Sequence, residues 1–196
     1  MWIRFLGAVV VSGLTQVSLA GESALERWLS WDGLQGTFTQ YEYDANQQLS
    51  RTSQGEMTLQ RPNFALWRIL EPDPQSFYAS ATGVWHHDTW LETARFHALD
   101  SDGEQATVAL FSGDIERLRQ RYLVQESEGG LQFTPLAQDS QIESIAIRLT
   151  KAGYPERLEL RTTLGHRTVI DIENITLGEF SSELFDFTPP PGTEIQ

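Results

Sequence analysis

The segment from Arg61 to Arg68 combines the most distinctive side-chain chemistry in the sequence. If the strand continues in register, Arg61, Asn63, Ala65 and Trp67 share one face, which places a guanidinium beside an indole. In one interpretation, Arg61 is exposed at a hairpin turn and covers an aromatic side chain. In the other, it lies in an apolar hollow, where its five donors bind the carbonyls of a lid reversibly.

Catalytic and metal-binding patterns are the other chemical candidates. The sequence has no Gly-x-Ser-x-Gly elbow, no phosphate-binding loop and no His-Glu-x-x-His motif. The adjacent His86 and His87 point to opposite faces of a strand, so only one of them can join His97 in a metal site. A solvated outer sheet face explains Asp171 and Glu173 more simply than a catalytic pair does. We expect no enzymatic activity, no metal and no cofactor.

The first 20 residues have the pattern of a signal peptide. Arg4 precedes an apolar run from Phe5 to Leu14, and Ser18-Leu19-Ala20 has small residues at both specificity positions of a signal-peptidase site. The run is about ten residues long, shorter than the roughly 20 that a membrane-spanning helix needs. The sequence has no cysteine for lipid attachment. We expect cleavage before Gly21, a periplasmic location and a soluble mature chain.

The charge of the chain narrows the possible partners. Lys and Arg number 14 against 27 Asp and Glu. Without Arg4 the mature chain has 13 basic and 27 acidic residues, a net charge of −14. Such a surface repels nucleic acids and anionic lipid headgroups. The acidity either keeps an apolar-binding protein in solution or draws it to basic patches on partner proteins.

Hydrophobic periodicity predicts the elements that position these residues. From Glu22 to Trp31, apolar residues recur at helical spacing, which predicts one amphipathic helix. Two short helices are predicted over Ala106–Phe111 and Ser112–Leu118. Strands are predicted over Phe38–Tyr43, Arg51–Gln60, Phe64–Leu70, Phe77–Ser80, Val84–Trp90, Tyr122–Gln125, Leu131–Thr134, Ile142–Leu149, Arg157–Thr163, Arg167–Ile175 and Leu184–Phe187.

The number of strands indicates the architecture. About eleven strands tend to curl instead of lying flat, so we expect a mainly β fold with one large curved antiparallel sheet. The predicted sheet forms an incomplete barrel closed by short helices as a lid. No internal repeat or linker divides residues 21–196, which we expect to form one domain.

Several motifs occur together in an order that resembles a known family. The segment at Arg61 resembles the Arg-Pro-x-x-Phe-x-Trp signature of the periplasmic outer-membrane lipoprotein carriers, the LolA type. Ala65 stands where that family usually has Phe, and Asp88–Thr93 matches its hairpin loosely. The other matching stretches are Gly36–Gln40, Gly55–Leu59, Glu71–Asp73, Gly83–Trp85, Leu110–Asp114 and Phe185–Gly192.

The resemblance implies a monomeric chaperone that shields acyl chains in an apolar cavity. Arg61 would hold a lid to which the first helix contributes Leu25, Trp28 and Leu29. The residues that we expect to bind acyl chains, besides Arg61, are Phe64, Leu66, Trp67, Trp85, Trp90 and Phe111.

The implied partners follow from this role. Triacylated lipoproteins are the cargo, an ATP-driven inner-membrane transporter loads them, and an outer-membrane receptor accepts them. A lipidated receptor of the same fold would need a cysteine, and a stress-sensing regulator would need a second domain. A related periplasmic carrier of another lipid or hydrophobic ligand is the alternative that the sequence leaves open.

Overall fold

The computed structural model describes residues 23–98, 115–127 and 129–196. Within these ranges there are two α-helices, α1 (Ala24–Leu29) and α2 (Ile115–Arg121). The strands are β1 Gly33–Tyr43, β2 Leu49–Gln60, β3 Phe64–Glu71, β4 Gln75–Ala79, β5 Gly83–Asp88, β6 Thr93–Ala98, β7 Tyr122–Ser127, β8 Gly130–Pro135, β9 Ile142–Leu149, β10 Pro155–Thr162, β11 Arg167–Leu177 and β12 Glu194–Ile195.

All twelve described strands belong to one sheet, in the order β12-β6-β5-β4-β3-β2-β1-β11-β10-β9-β8-β7. Neighbouring strands are antiparallel except β12, which runs parallel to β6. The two edge strands, β12 and β7, are not paired with each other, so the sheet of the described residues does not close. The predicted fold class, a large curved antiparallel sheet with short helices, is confirmed.

The main core lies on the face of the sheet that α1 covers, here called the inner face. Strand alternation directs every second side chain to it, including Leu34 and Phe38 of β1 and Met57 of β2. Trp28 from α1 and Leu118 from α2 complete this core, both with no exposed surface. Other buried members are Trp31, Leu59, Leu131, Phe133, Ile145, Ile147, Leu149, Leu158 and Ile172.

A second apolar layer covers the opposite, outer face at β3 to β6. The chain after β11 forms a 3₁₀ helix, Ser182–Phe185, and Phe185 is buried beside Phe64 with ring centroids 5.4 Å apart. Phe187 then packs on Tyr78 at 4.9 Å and on Trp85 at 5.5 Å. The outer face of this part of the sheet is therefore covered by apolar contacts with the C-terminal segment.

The structure corrects several sequence predictions. The predicted strand Leu184–Phe187 is wrong, because the Ser181 hydroxyl accepts the Glu183 N–H and begins a 3₁₀ turn instead. Strand β5 ends at Asp88, not at Trp90. The strand β6 was not predicted, and the predicted helix Ala106–Phe111 lies outside the described residues.

The ends of the first helix also differ from the prediction. It begins at Ala24 instead of Glu22, because Ser23 is its N-cap, and it ends at Leu29 before the C-cap Ser30. No helix of the described residues is both long and apolar enough to cross a membrane.

Candidate functional site

The helix α1 is short and depends on local caps. The Ser23 hydroxyl accepts the Glu26 N–H at 3.1 Å, and the Glu26 carboxylate accepts the Ser23 N–H at 2.8 Å, which forms a capping box. An isolated helix of this length is not stable in water. The position of α1 therefore depends on its contacts with the sheet, to which it contributes the buried Trp28.

Two contacts, one from a strand and one from a turn of the sheet, hold α1 at Leu25 and Arg27. The carboxylate of Glu126 on β7 accepts the Leu25 N–H at 3.2 Å. Gly153, in the turn between β9 and β10, lies so close to the helix that a Cβ there would be 2.3 Å from the Arg27 carbonyl oxygen. Its φ of +88° also favours glycine. A side chain at residue 153 would therefore displace the helix.

Arg61 holds the other end of α1. It lies in the turn between β2 and β3, where its Nη1 donates to the Trp31 carbonyl at 2.6 Å and its Nη2 to the Trp28 carbonyl at 2.8 Å. Its backbone N–H donates to the Asp32 carbonyl at 2.7 Å. Carbonyls at a helix C-terminus have no partner inside the helix. The guanidinium therefore satisfies acceptors at the end of α1.

The guanidinium of Arg61 also contacts two indoles. Its central carbon lies 3.7 Å from the ring centroid of Trp31 and 5.3 Å from that of Trp28. The two indoles pack edge to face, with centroids 5.2 Å apart. Burial lowers the pKa of Arg61 to about 10, and the negative charge of Asp32 offsets part of this effect. Arg61 is therefore a cation at neutral pH, in an environment that penalises its charge.

This arrangement differs from the strand that we predicted through Arg61. Residues 61–63 form the turn, and the strand begins at Phe64, so the contact with an indole is made to Trp28 and Trp31 instead of Trp67. The guanidinium lies at a hairpin turn, as in the first interpretation, but it is partly buried and binds the carbonyls of Trp28 in the first helix and of Trp31 just after it, as in the second. We call Arg61 with the carbonyls of Trp28 and Trp31 the latch.

The structure brings some of the predicted site residues together on the inner face. Trp67 stacks on Phe38 there, with centroids 4.0 Å apart. Leu25 and Leu29 of α1 are partly buried against the same core. These residues and Trp28 belong to one continuous apolar cluster.

Other predicted site residues lie elsewhere. Phe64, Leu66 and Trp85 point to the outer face, where the C-terminal segment covers them. Trp90 lies in the turn between β5 and β6 and is 76% exposed. Phe111 falls outside the described residues.

Sequence reasoning missed three residues of the site. Trp31 follows Trp28 at the i+3 spacing of a helix, which was a usable signal for a shared face. The role of Gly153 was hidden, because the Ala152–Pro155 stretch reads as an ordinary turn. Glu126 showed no signal, since its contact with α1 joins residues 101 positions apart.

The side chains of His86, His87 and Asp171, which were considered for metal binding or catalysis, pack on aromatic rings or form an ion pair. His86 stacks on Phe77 at 4.5 Å and His87 packs on Phe187 at 5.2 Å, which confirms that they point to opposite faces. The Asp171 carboxylate accepts a hydrogen bond from Arg157 at 2.6 Å. Within the described ranges, no three His, Cys, Asp or Glu side chains are grouped to hold a metal ion.

Comparison with known proteins agrees with the family resemblance seen in the sequence motifs. The family model described as "Outer membrane lipoprotein carrier protein LolA" matches residues 30–188. A protein of Alcanivorax borkumensis called outer-membrane lipoprotein carrier protein is 28% identical over 182 residues, covering 90% of this chain and 87% of its own. A protein of the same name from Pseudomonas paraeruginosa is 24% identical, covering 98% of this chain and 97% of its own.

A solved structure shares the fold. An uncharacterised conserved protein of Thermus thermophilus aligns with a TM-score of 0.53 and 9% identity, covering 88% of this chain and 96% of that one. At this identity the match concerns the fold and not the ligand.

Proposed function

Since the chain belongs to the LolA family of outer membrane lipoprotein carrier proteins, we propose that it shields the acyl chains of lipoproteins and carries them through the periplasm. In this proposal the inner face of the sheet receives the acyl chains, and α1 covers that face when the carrier is empty. The signal peptide at residues 1–20 directs the chain to the periplasm.

The latch is the observation that supports this proposal most directly. A six-residue helix lies over an apolar face and is held at its C-terminal end by a partly buried cation. The two hydrogen bonds are charge-assisted, so they are stronger than bonds between neutral groups. Burial of the guanidinium offsets part of that strength, as the lowered pKa of Arg61 indicates. Such a contact opens at moderate cost and closes again without rearrangement of the sheet.

The cargo explains why the closed state should be only moderately stable. Each methylene removed from water contributes about 0.8 kcal/mol, so three acyl chains in a dry, preformed cavity would bind nearly irreversibly. If the latch must open before the chains enter, the net affinity falls by the stability of the closed state. Reclosure of the latch then favours delivery of the cargo.

Loading and unloading require other proteins in this proposal. An ATP-driven transporter of the inner membrane releases triacylated lipoproteins to the carrier, and an outer-membrane receptor accepts them. The chain itself has no phosphate-binding loop, so the energy for loading is supplied by the transporter. The cation Arg61 and the indoles of Trp28 and Trp31 then separate on loading and return to contact on delivery.

A release assay tests the proposal. Spheroplasts that contain labelled triacylated lipoproteins are incubated with the purified mature chain, and the supernatant is fractionated by size. We expect a soluble complex of one carrier with one lipoprotein, and none with an unrelated acidic periplasmic protein. Absence of the complex, with the transporter active and a known carrier positive, would refute this function.

The same experiment separates the alternative function. If no lipoprotein is released, lipids extracted from the protein after purification from its native periplasm identify another cargo. Ala65, at the position where the family usually has Phe, gives a reason for this alternative, because the smaller side chain leaves more room beside Trp67 on the inner face. Recovery of a defined lipid at one equivalent per chain would favour a carrier of that lipid.

A further inference from the structure

The inner face of the sheet changes from apolar to polar along β1 and β2. Phe38 of β1 belongs to the buried core. The next two inner pairs, towards the turn that joins the two strands, are Gln40 opposite Ser53 and Glu42 opposite Arg51. Paired residues share a face of the sheet, and so do alternate residues of one strand. We call these last four residues the polar end of the inner face.

Ser53 is buried at the polar end without a partner. Its side chain is 2% exposed, and its hydroxyl makes no hydrogen bond with any described residue. The Nε atom of Arg51, two residues earlier on the same face, is also buried and unpaired within the described ranges. Buried polar groups are nearly always hydrogen-bonded, because an unpaired one has lost its water without gaining another bond. These two donors therefore indicate a position where a ligand supplies an acceptor.

The other polar groups at this end already have partners. The Gln40 side-chain amide donates to the Glu42 carboxylate at 2.7 Å. The Nη2 atom of Arg51 donates to the carboxylate of Asp73, in the turn between β3 and β4, at 2.7 Å. The hydroxyl of Ser53 and the Nε–H of Arg51 thus remain available, so the matching ligand group is an acceptor.

The charges at the polar end select an uncharged acceptor. Glu42 and Asp73 are carboxylates and Arg51 is a guanidinium, which gives these three side chains a formal net charge of −1. Like charges repel more strongly where water is partly excluded, so a phosphate group is disfavoured here. An ester or amide carbonyl oxygen is uncharged and has two lone pairs. An acyl chain is joined to the rest of its molecule through one such carbonyl.

The polar end lies far from the latch on the same face. Ser53 precedes Arg61 by eight residues, which is roughly 26 Å along the chain at about 3.3 Å per strand residue. Met57 and Leu59 of β2 lie between them and are each 1% exposed. A ligand along this face would meet apolar side chains over its length and hydrogen-bond donors at one end. The polar end and the latch therefore act on different parts of such a ligand.

We propose that the polar end binds the carbonyl oxygen through which an acyl chain is joined to its cargo, with the Ser53 hydroxyl and the Arg51 Nε–H as donors. The inference rests on the proposed function, because it assumes that acyl chains lie on the inner face. It orients each bound chain with its carbonyl at the polar end and its methyl end towards the latch. The site selects acyl over alkyl chains and uncharged over phosphorylated lipids.

The test compares an ester with an ether lipid. Palmitoylglycerol and the hexadecyl ether of glycerol differ by one carbonyl oxygen, and both displace an uncharged fluorescent acylglycerol from the purified mature chain. We expect the wild type to bind the ester roughly fivefold more tightly, as one added hydrogen bond would give. Ser53→Ala should lose most of this preference. The matched control Ser144→Ala removes a partly buried hydroxyl from the outer face of β9 and should keep the preference.

Thermal unfolding separates ligand binding from a structural role of the hydroxyl. Ser53→Ala should have a Tm equal to or above that of the wild type, because an unpaired hydroxyl adds no bond to the folded state. A lower Tm, an unchanged ester preference in Ser53→Ala, equal wild-type affinity for ester and ether, or tighter binding of the phosphorylated palmitoylglycerol would each overturn the inference. A wild type that binds none of these lipids would instead refute the proposed function.

Discussion

Replacement of Arg61 by leucine tests the latch most directly. Leucine keeps an apolar side chain near the indoles of Trp28 and Trp31 but donates no hydrogen bond to their carbonyls. The closed state loses both bonds, whereas the open state, in which they are already broken, loses neither. We therefore expect the variant to bind acyl chains more tightly than the wild type and to pass lipoproteins to the receptor less completely.

The size of the effect follows from two opposing terms. Two hydrogen bonds to a charged group contribute about 1.5–3 kcal/mol each, or roughly 3–6 kcal/mol together. Leucine also removes the cost of burying the cation, which the lowering of the Arg61 pKa to about 10 sets at roughly 3 kcal/mol. The net loss of closed-state stability is roughly 0–3 kcal/mol. A central value of about 1.4 kcal/mol corresponds to a tenfold change in affinity.

Two assays measure this change. Displacement of a fluorescent fatty acid reports affinity, which should rise about tenfold, and transfer from the loaded carrier to the purified receptor should fall by a similar factor. The matched control is Arg167→Leu, which removes a guanidinium that lies over the ring of Tyr43 at 4.1 Å, at the end of β1 that is farther along the chain from α1. Equal affinity and transfer for wild type and Arg61→Leu would refute the latch.

The lowered pKa of Arg61 also predicts how the difference in folding stability between the wild type and Arg61→Leu depends on pH. The folded chain releases this proton near pH 10 and the unfolded chain only at higher pH, so the contribution of Arg61 to folding stability rises as the pH increases above about 10. Below about pH 9 the guanidinium is protonated in both states. The difference between wild type and Arg61→Leu should therefore be constant from pH 6 to 9.

Two further substitutions test the supports of the sheet and of α1 by thermal unfolding. Gly153→Ala should lower Tm more than Gly165→Ala. Both glycines have positive φ, but only an alanine at residue 153 would bring its Cβ against Arg27. Equal decreases in Tm would contradict this contact. Phe185→Ala should destabilise the fold by about 3–5 kcal/mol and lower Tm by about 10 °C, since this ring is 2% exposed. The neighbouring Leu184→Ala should change Tm little, because Leu184 is exposed, and a decrease as large as that of Phe185→Ala would argue against the outer layer.

Strands with one buried face were predicted well from the sequence. The predicted bounds of β9, Ile142–Leu149, agree with the structure, because its inner side chains alternate with exposed ones. The strand β6 was missed, although its apolar residues Ala94, Phe96 and Ala98 do alternate with polar ones. The strand is only six residues long, and two of its three apolar residues are alanine, which is uncommon in strands.

The direction of side chains on β3 could not be predicted from alternation. Ala65 and Trp67 face the inner core, whereas Phe64 and Leu66 face the C-terminal segment, so both faces are apolar. Alternation selects a face only where the other face is polar. Which aromatic residues line the inner face therefore depends on where Phe185 packs, a contact between distant parts of the chain.

The two faces of the sheet differ in how firmly their covers are attached, and this difference is what a reversible carrier needs. On the outer face, Phe185 and Phe187 join the C-terminal segment to several strands, and β12 adds backbone hydrogen bonds to β6. On the inner face, α1 is too short to be stable by itself, and its C-terminal end depends on Arg61. If the proposed function is correct, we expect loss of the latch to weaken the attachment of α1 while the strands remain paired, so that the protein can open without unfolding.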